Sequence, residues 1–165
     1  MRIKIISASF RTNVMFLMFF VFGSVTVFGQ SNNCNAEISA IKNRDNKKVV
    51  TTVHYKMVIT NKGNLADVFT LSSENINSTC ANIDGSSTIN NVILNYSFLD
   101  VDKNPITKVE LKSGESYNFL VLAEVPVGTP LEKWSCIEVS ASSKLCADFK
   151  VSTVLQTYVF KPSEE

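Results

Sequence analysis

Residues 55–71 read Tyr-Lys-Met-Val-Ile-Thr-Asn-Lys-Gly-Asn-Leu-Ala-Asp-Val-Phe-Thr-Leu, two β-rich runs around the turn cluster Asn61-Lys62-Gly63-Asn64. Before the cluster, Val53, Tyr55, Met57 and Ile59 alternate with His54, Lys56 and Val58. Side chains of a strand point to opposite faces in turn, so a period of two marks a strand with one buried face. After the cluster, Val68 and Thr70 oppose Phe69 and Leu71 in the same way. One strand, a sharp reversal and a second strand constrain the chain more than any other stretch does.

The same pattern continues to the C-terminus. Strands are predicted over 34–41, 49–60, 66–71, 91–99, 106–111, 116–125, 134–141 and 149–160. Residues 43–48 are predicted as a polar turn, and Asp84-Gly85 marks another within the Ser- and Asn-rich stretch 72–90. Pro126 and Pro130 bracket a connection that lacks ladder donors. No sustained 3.6-residue period occurs beyond the leader. Short strands with turn signals at this density predict an all-β sandwich of immunoglobulin-like type, with about seven to eight antiparallel strands.

The first residues are of another kind. Arg2, Lys4 and Arg11 precede the apolar run Val14-Met-Phe-Leu-Met-Phe-Phe-Val-Phe22, and small and polar residues follow. This is the pattern of a secretory leader, with cleavage expected after Gly29 and Gln30 as the new N-terminus. The apolar run is about half of the ~20 residues a spanning helix needs. Cys34 follows Gln-Ser-Asn-Asn, which is unlike the run that lipoprotein processing requires. The expected organisation is a leader at 1–29, one sandwich domain at 30–160 and a polar tail at 161–165.

The leader takes three of the sixteen basic residues and none of the fifteen acidic ones, leaving thirteen against fifteen and a net charge of −2. The basic residues are scattered, which argues against a nucleic-acid footprint. Cys34, Cys80, Cys136 and Cys146 all lie beyond the leader. An even number of cysteines in an exported chain predicts two disulfides. Zinc fits poorly, since there is no CxxC pair and His54 is the single histidine.

Val58-Ile-Thr-Asn-Lys-Gly63, Ala66-Asp-Val-Phe-Thr-Leu71, Leu111-Lys-Ser-Gly-Glu-Ser116, Val125-Pro-Val-Gly-Thr-Pro130 and Val139-Ser-Ala-Ser-Ser143 occur in that order. Over about 55–159 the chain resembles bacterial immunoglobulin-like modules related to fibronectin type III, of the conserved-repeat and adhesion-related kind found in secreted and surface proteins. Asn61, Gly63 and Gly114 stand where such modules turn sharply, and left-handed backbone is expected there. The sandwich order implied by the resemblance favours Cys34 paired with Cys146 and Cys80 with Cys136. A local Cys136–Cys146 bridge, with the hairpin turning near Ala141, stays open.

Candidate chemistry is sparse. Asp100, Asp102 and Asn104 have the spacing of the first half of a calcium loop, with Asp84 as a distant helper. Pro105 and Leu111 stand where an EF-hand has glycine and its bidentate glutamate, and a plain Asp/Asn turn gives the same letters. His54 has no partner by spacing for acid–base work. Ser113 and Ser116 lack a nucleophile-elbow context, and Glu110, Glu115 and Glu124 stand at ordinary strand-end positions. The chain is therefore expected not to be an enzyme, with no cofactor. Trp134 and Tyr117 are the candidate ligand contacts, beside Tyr96 and Tyr158. Asn77-Ser-Thr79 and Asn95-Tyr-Ser97 match the glycosylation acceptor pattern.

The expected function is a binding or structural module that is secreted, periplasmic or at the cell surface, with no membrane span after cleavage. Its expected partner is a larger secreted or surface protein. The alternative is a carbohydrate-binding module that takes polysaccharide on Trp134 and nearby tyrosines.

Overall fold

The computed structural model describes residues 34–77 and 80–162. The expected leader and its cleavage site, Ser163 to Glu165 of the tail, and part of the Asn77 acceptor motif lie outside the described residues. Among the described residues nine strands form two sheets. They are β1 Ala36–Ala40, β2 Asn46–Val49, β3 Thr52–Asn61, β4 Asp67–Asn75, β5 Asn95–Leu99, β6 Lys108–Leu111, β7 Ser116–Glu124, β8 Lys133–Ser143 and β9 Lys150–Val159.

The first sheet has the order β1-β3-β7-β5 and the second β2-β9-β8-β4-β6. This is an all-β immunoglobulin-like sandwich. The expected 49–60 strand and the expected 66–71 strand after Gly63 are β3 and β4, which lie in different sheets. The turn at 61–66 therefore carries the chain across the sandwich.

Tyr55, Met57 and Ile59 of β3 and Phe119, Val121 and Ala123 of β7 face Phe69 and Leu71 of β4, Ile137, Val139 and Ala141 of β8, and Leu155 and Val159 of β9. All are buried. The period-two pattern thus becomes the shared interior, where each large apolar side chain contributes about 1.5–3 kcal/mol.

Three local readings are corrected. Residues 46–48, expected in a polar turn, and Val49, expected to open the next strand, form the edge strand β2, which runs parallel to β9. Only Val49 of that strand is buried, so alternation could not reveal it, and its ladder is supplied by β9. Strand β4 runs on to Asn75 through four exposed residues because β8 pairs with it there. Gly63 lies outside the left-handed region, unlike Gly114 at φ 76°. The turn is closed instead by buried Asn61, whose Oδ1 accepts from Gly63 N–H at 2.9 Å and whose Nδ2 donates to the carbonyls of Leu65 and Leu111.

Both disulfides take the pairing the sandwich order favoured, Cys34–Cys146 and Cys80–Cys136. The β8–β9 hairpin turns at 144–149, not near Ala141. Beside Cys146, Asp67 accepts from Ser143 Oγ at 2.5 Å and from Leu145 N–H at 3.0 Å. Two disulfides place the domain in an oxidising, extracytoplasmic environment. Among the described residues no helix is long and apolar enough to cross a membrane.

Candidate functional site

Antiparallel pairing gathers the start of β3 and β5 and the end of β7 at one end of the sandwich, where Thr52 and Asn95 both pair with Glu124. The end of β9 and the start of β8 meet at Lys133 and Val159, and β2 ends on Val159 too. The loop segments at this end are 50–51, 76–77, 80–94 and 125–132. They carry most of the exposed large apolar side chains: Val50, Ile83, Ile89, Ile93, Val127 and Leu131. Ile89 is 84 % exposed, Ile83 65 % and Ile93 63 %. Residues 80–94 contain one charged side chain, Asp84, and residues 125–131 contain none.

The loop 80–94 has no strand, yet it is built. Cys136 and Trp134 of β8 alternate with the core residues Ser135 and Ile137, so they face outward, and 80–94 lies over that face. Cys80 is bonded to Cys136. Gln156 Nε2 donates to the carbonyl of Ala81 at 2.6 Å. Trp134 Nε1 donates to Asp84 Oδ2 at 2.8 Å, and that hydrogen bond, with others from Ser86, holds the Asp84 carboxyl below its ordinary range. Buried Asn82 exchanges amide hydrogen bonds with Asn91, at 3.0 and 3.2 Å. The isoleucines therefore project from a braced loop, not from a slack one.

The aromatic candidates part company. Trp134 is half-buried, packed at 5.0 Å between ring centroids against Tyr158 and tied to Asp84. Tyr117 belongs to the other sheet and packs against the core from the inner side of β7. The two do not form one platform. Tyr96 is turned inward: its hydroxyl donates to Ser135 Oγ at 3.1 Å and lies 3.3 Å from Thr157 Oγ1. With Tyr55 it makes a polar bridge between the sheets that alternation alone could not show.

The calcium candidates form a self-closed turn. Asp100 Oδ1 accepts from the N–H groups of Asp102 and Asn104, at 2.9 and 2.8 Å. Its Oδ2 accepts from Asn104 Nδ2 at 3.0 Å. These donors, Asn104 foremost, lower the Asp100 carboxyl from its usual value. Asn104 thus presents a donor to Asp100, and Asp102 joins through its backbone. Among the described residues no group of three or more His, Cys, Asp or Glu is arranged to hold a metal ion.

The remaining polar candidates are dispersed. His54 is half-buried on β3, cross-strand from Leu122. Ser113 Oγ donates to the carbonyl of Gly63, and Ser116 Oγ pairs with Thr60 Oγ1. Glu115 accepts from Lys112 N–H at 2.8 Å, while Glu110 stands on β6 and Glu124 ends β7. Asn95 is the exposed first residue of β5.

One further feature had no signal in the sequence. A groove of about 560 Å³ crosses the outer face of the first sheet. Ile41, Val101 and Leu120 supply apolar lining, and Lys42, Arg44, Lys47 and Lys56 surround it.

No family model matches this chain. No curated protein matches it. Among solved structures it is similar to a family 123 glycoside hydrolase from Clostridium perfringens, with TM-score 0.50 and 11 % identity over 78 % of this chain and 28 % of the hydrolase. It is also similar to a FixG-related protein from Vibrio parahaemolyticus (TM-score 0.48, 11 % identity, 79 % of this chain and 99 % of the other). A third is PapD-like domain 7 of human CEP192 (TM-score 0.37, 12 % identity, 77 % and 87 %). The chain spans little more than a quarter of the hydrolase, and at this identity the likeness is one of fold. It nevertheless corrects one expectation. The chain was expected not to be an enzyme because its residues offer no catalytic constellation, and its likeness to part of a glycoside hydrolase chain contradicts that expectation.

Proposed function

We propose that this domain is an extracytoplasmic binding module, of the bacterial immunoglobulin-like and fibronectin type III-like kind, exported by its leader. It docks on a larger secreted or surface protein through the loop end that bears Ile83, Ile89, Ile93 and Val127. The carrying observation is that strongly exposed isoleucines project from a loop braced by a disulfide and by the amide pair of buried Asn82 with Asn91. Apolar side chains gathered on one exposed surface mark an interaction site. A braced loop loses little conformational freedom on docking, which favours affinity. The near absence of charge on these loops fits an apolar pocket on a protein partner.

The test is crosslinking and recovery from the native envelope with the intact domain and with Ile89→Asp combined with Val127→Asp. The expected result is a specific partner protein that the double variant fails to retain. Recovery of no specific protein, or equal recovery by the variant, would overturn the reading.

A further inference from the structure

We propose that the groove on the outer face of the first sheet is a second binding site, separate from the loop end, which takes an acidic, extended peptide segment carrying apolar side chains. Its floor is Leu120 of β7, cross-strand from Lys56 of β3. One wall is the segment between β1 and β2, with Ile41, Lys42 and Arg44, and the other is Val101 of the β5–β6 turn. The groove thus runs across the strands from one side of the sheet to the other. Three inter-strand spacings are about 14 Å, the length of about four extended residues.

The charge is one-sided. The domain's net charge after leader removal is −2, yet the charged side chains that line this groove are all cationic. Among the described residues, ion pairs join Lys62 with Glu37 and Lys150 with Glu138, and none joins a groove cation to a carboxylate. Lys47 is held in place, its Nζ donating to the carbonyl of His54 and lying 5.4 Å from the centroid of the Tyr55 ring. Burial first, then repulsion from Arg44 and Lys56, lowers its pKa. An anion in the groove relieves that repulsion.

The wall is also strained. Lys42 at φ 61° and Asn43 at φ 52° are consecutive non-glycine residues in the left-handed region. Such conformations persist where the surrounding structure imposes them, and they cluster at binding sites. The apolar lining between the cations selects against a ligand that offers charge alone. Acidic residues alternating with leucine on an extended chain present both chemistries.

The experiment is an amide NMR titration of the domain with the blocked peptide Glu-Leu-Asp-Leu-Glu, at low and at physiological salt. The peptide is expected to shift the amides of Lys56, Asn118, Leu120 and Val101, with weaker binding at the higher salt. Arg44→Glu with Lys56→Glu is expected to abolish the shifts while its own spectrum stays dispersed, and Lys42→Glu alone is expected to weaken them. Loss of dispersion in the double variant leaves Lys42→Glu as the deciding arm. The proposal is overturned if the groove amides do not move, if Lys42→Glu binds as the native domain does, or if Lys-Leu-Lys-Leu-Lys binds equally well. Groove shifts with dodecanoate or a sulfated oligosaccharide but not with the peptide also overturn it. Because the loop-end variants lie elsewhere, failure here is distinguishable from failure of the docking function.

Discussion

The Tyr55 hydroxyl lies 2.8 Å from Thr157 Oγ1 and donates to the Gln156 carbonyl at 2.7 Å, so one phenol of the first sheet is tied to the last strand of the second. The hydrogen bond joins residues 102 apart in sequence and fully buried on both sides. A buried polar group costs more when left unpaired than a made hydrogen bond contributes, so the pair holds the sheets in one relative position.

Tyr55→Phe is expected to lower stability by about 1–3 kcal/mol, because the Gln156 carbonyl and the Thr157 hydroxyl each lose a partner. Urea unfolding measures it. Combined with Thr157→Val, the loss is expected to be smaller than the sum of the single losses, and strict additivity would show that the two groups do not interact.

Alkaline pH probes the same bridge. Burial raises the ionisation of Tyr55 far above the ordinary phenol range and raises that of Tyr96 as well. An unfolded tyrosine ionises near pH 10. Above that, the unfolded chain has lost protons that the folded chain keeps, so it binds fewer and stability falls as pH rises. The stabilisation is complete below about pH 10 and is lost as pH climbs toward the raised folded values. Unfolding midpoints should decline there, and less steeply in Tyr55→Phe. An equal slope in the variant would contradict the assignment.

The Cys80–Cys136 disulfide braces a loop, whereas Cys34–Cys146 ties the first strand to the last hairpin turn. Replacing Cys80 and Cys136 by serine is expected to raise amide exchange mainly over residues 80–94 and to leave β3 and β7 protected. Replacing Cys34 and Cys146 by serine removes a crosslink spanning 112 residues and should cost about 2–4 kcal/mol of global stability. Hydrogen exchange and urea unfolding separate the two outcomes.

Asp100 closes its own turn. Asp100→Ala is expected to lower the melting temperature equally with and without calcium, because the lost partners are the N–H groups of Asp102 and Asn104. Calcium-dependent stabilisation that disappears in this variant would restore the cation reading.

Alternation was enough to place β3, β7, β8 and β9, since a sheet with one face in the core writes that face into every second residue. Sandwich order favoured the disulfide pairing that is found, while leaving a local Cys136–Cys146 bridge open. Where a segment buries a single side chain or none, the pattern is silent. Strand β2 buries Val49 alone, and residues 72–75 of β4 bury none. The turn at Gly63 was sought in backbone freedom, while the side chain of Asn61 does the closing.

The two surfaces of interest divide along the same line. The isoleucines of 80–94 and the bare 125–131 loop are visible as letters, but only strand direction brings them to one end. The groove draws on residues 41–56, 101 and 118–120, and only pairing of β3 with β7 sets Lys56 beside Leu120. The order of residues by itself determined the all-β class and the face that leaves water in the strands that alternate, because burial of apolar area is a local tally repeated along the chain. Which loops share an end, which cations share a groove and which hydroxyls meet across the sheets was decided by tertiary structure alone, because those depend on contacts between residues far apart in sequence.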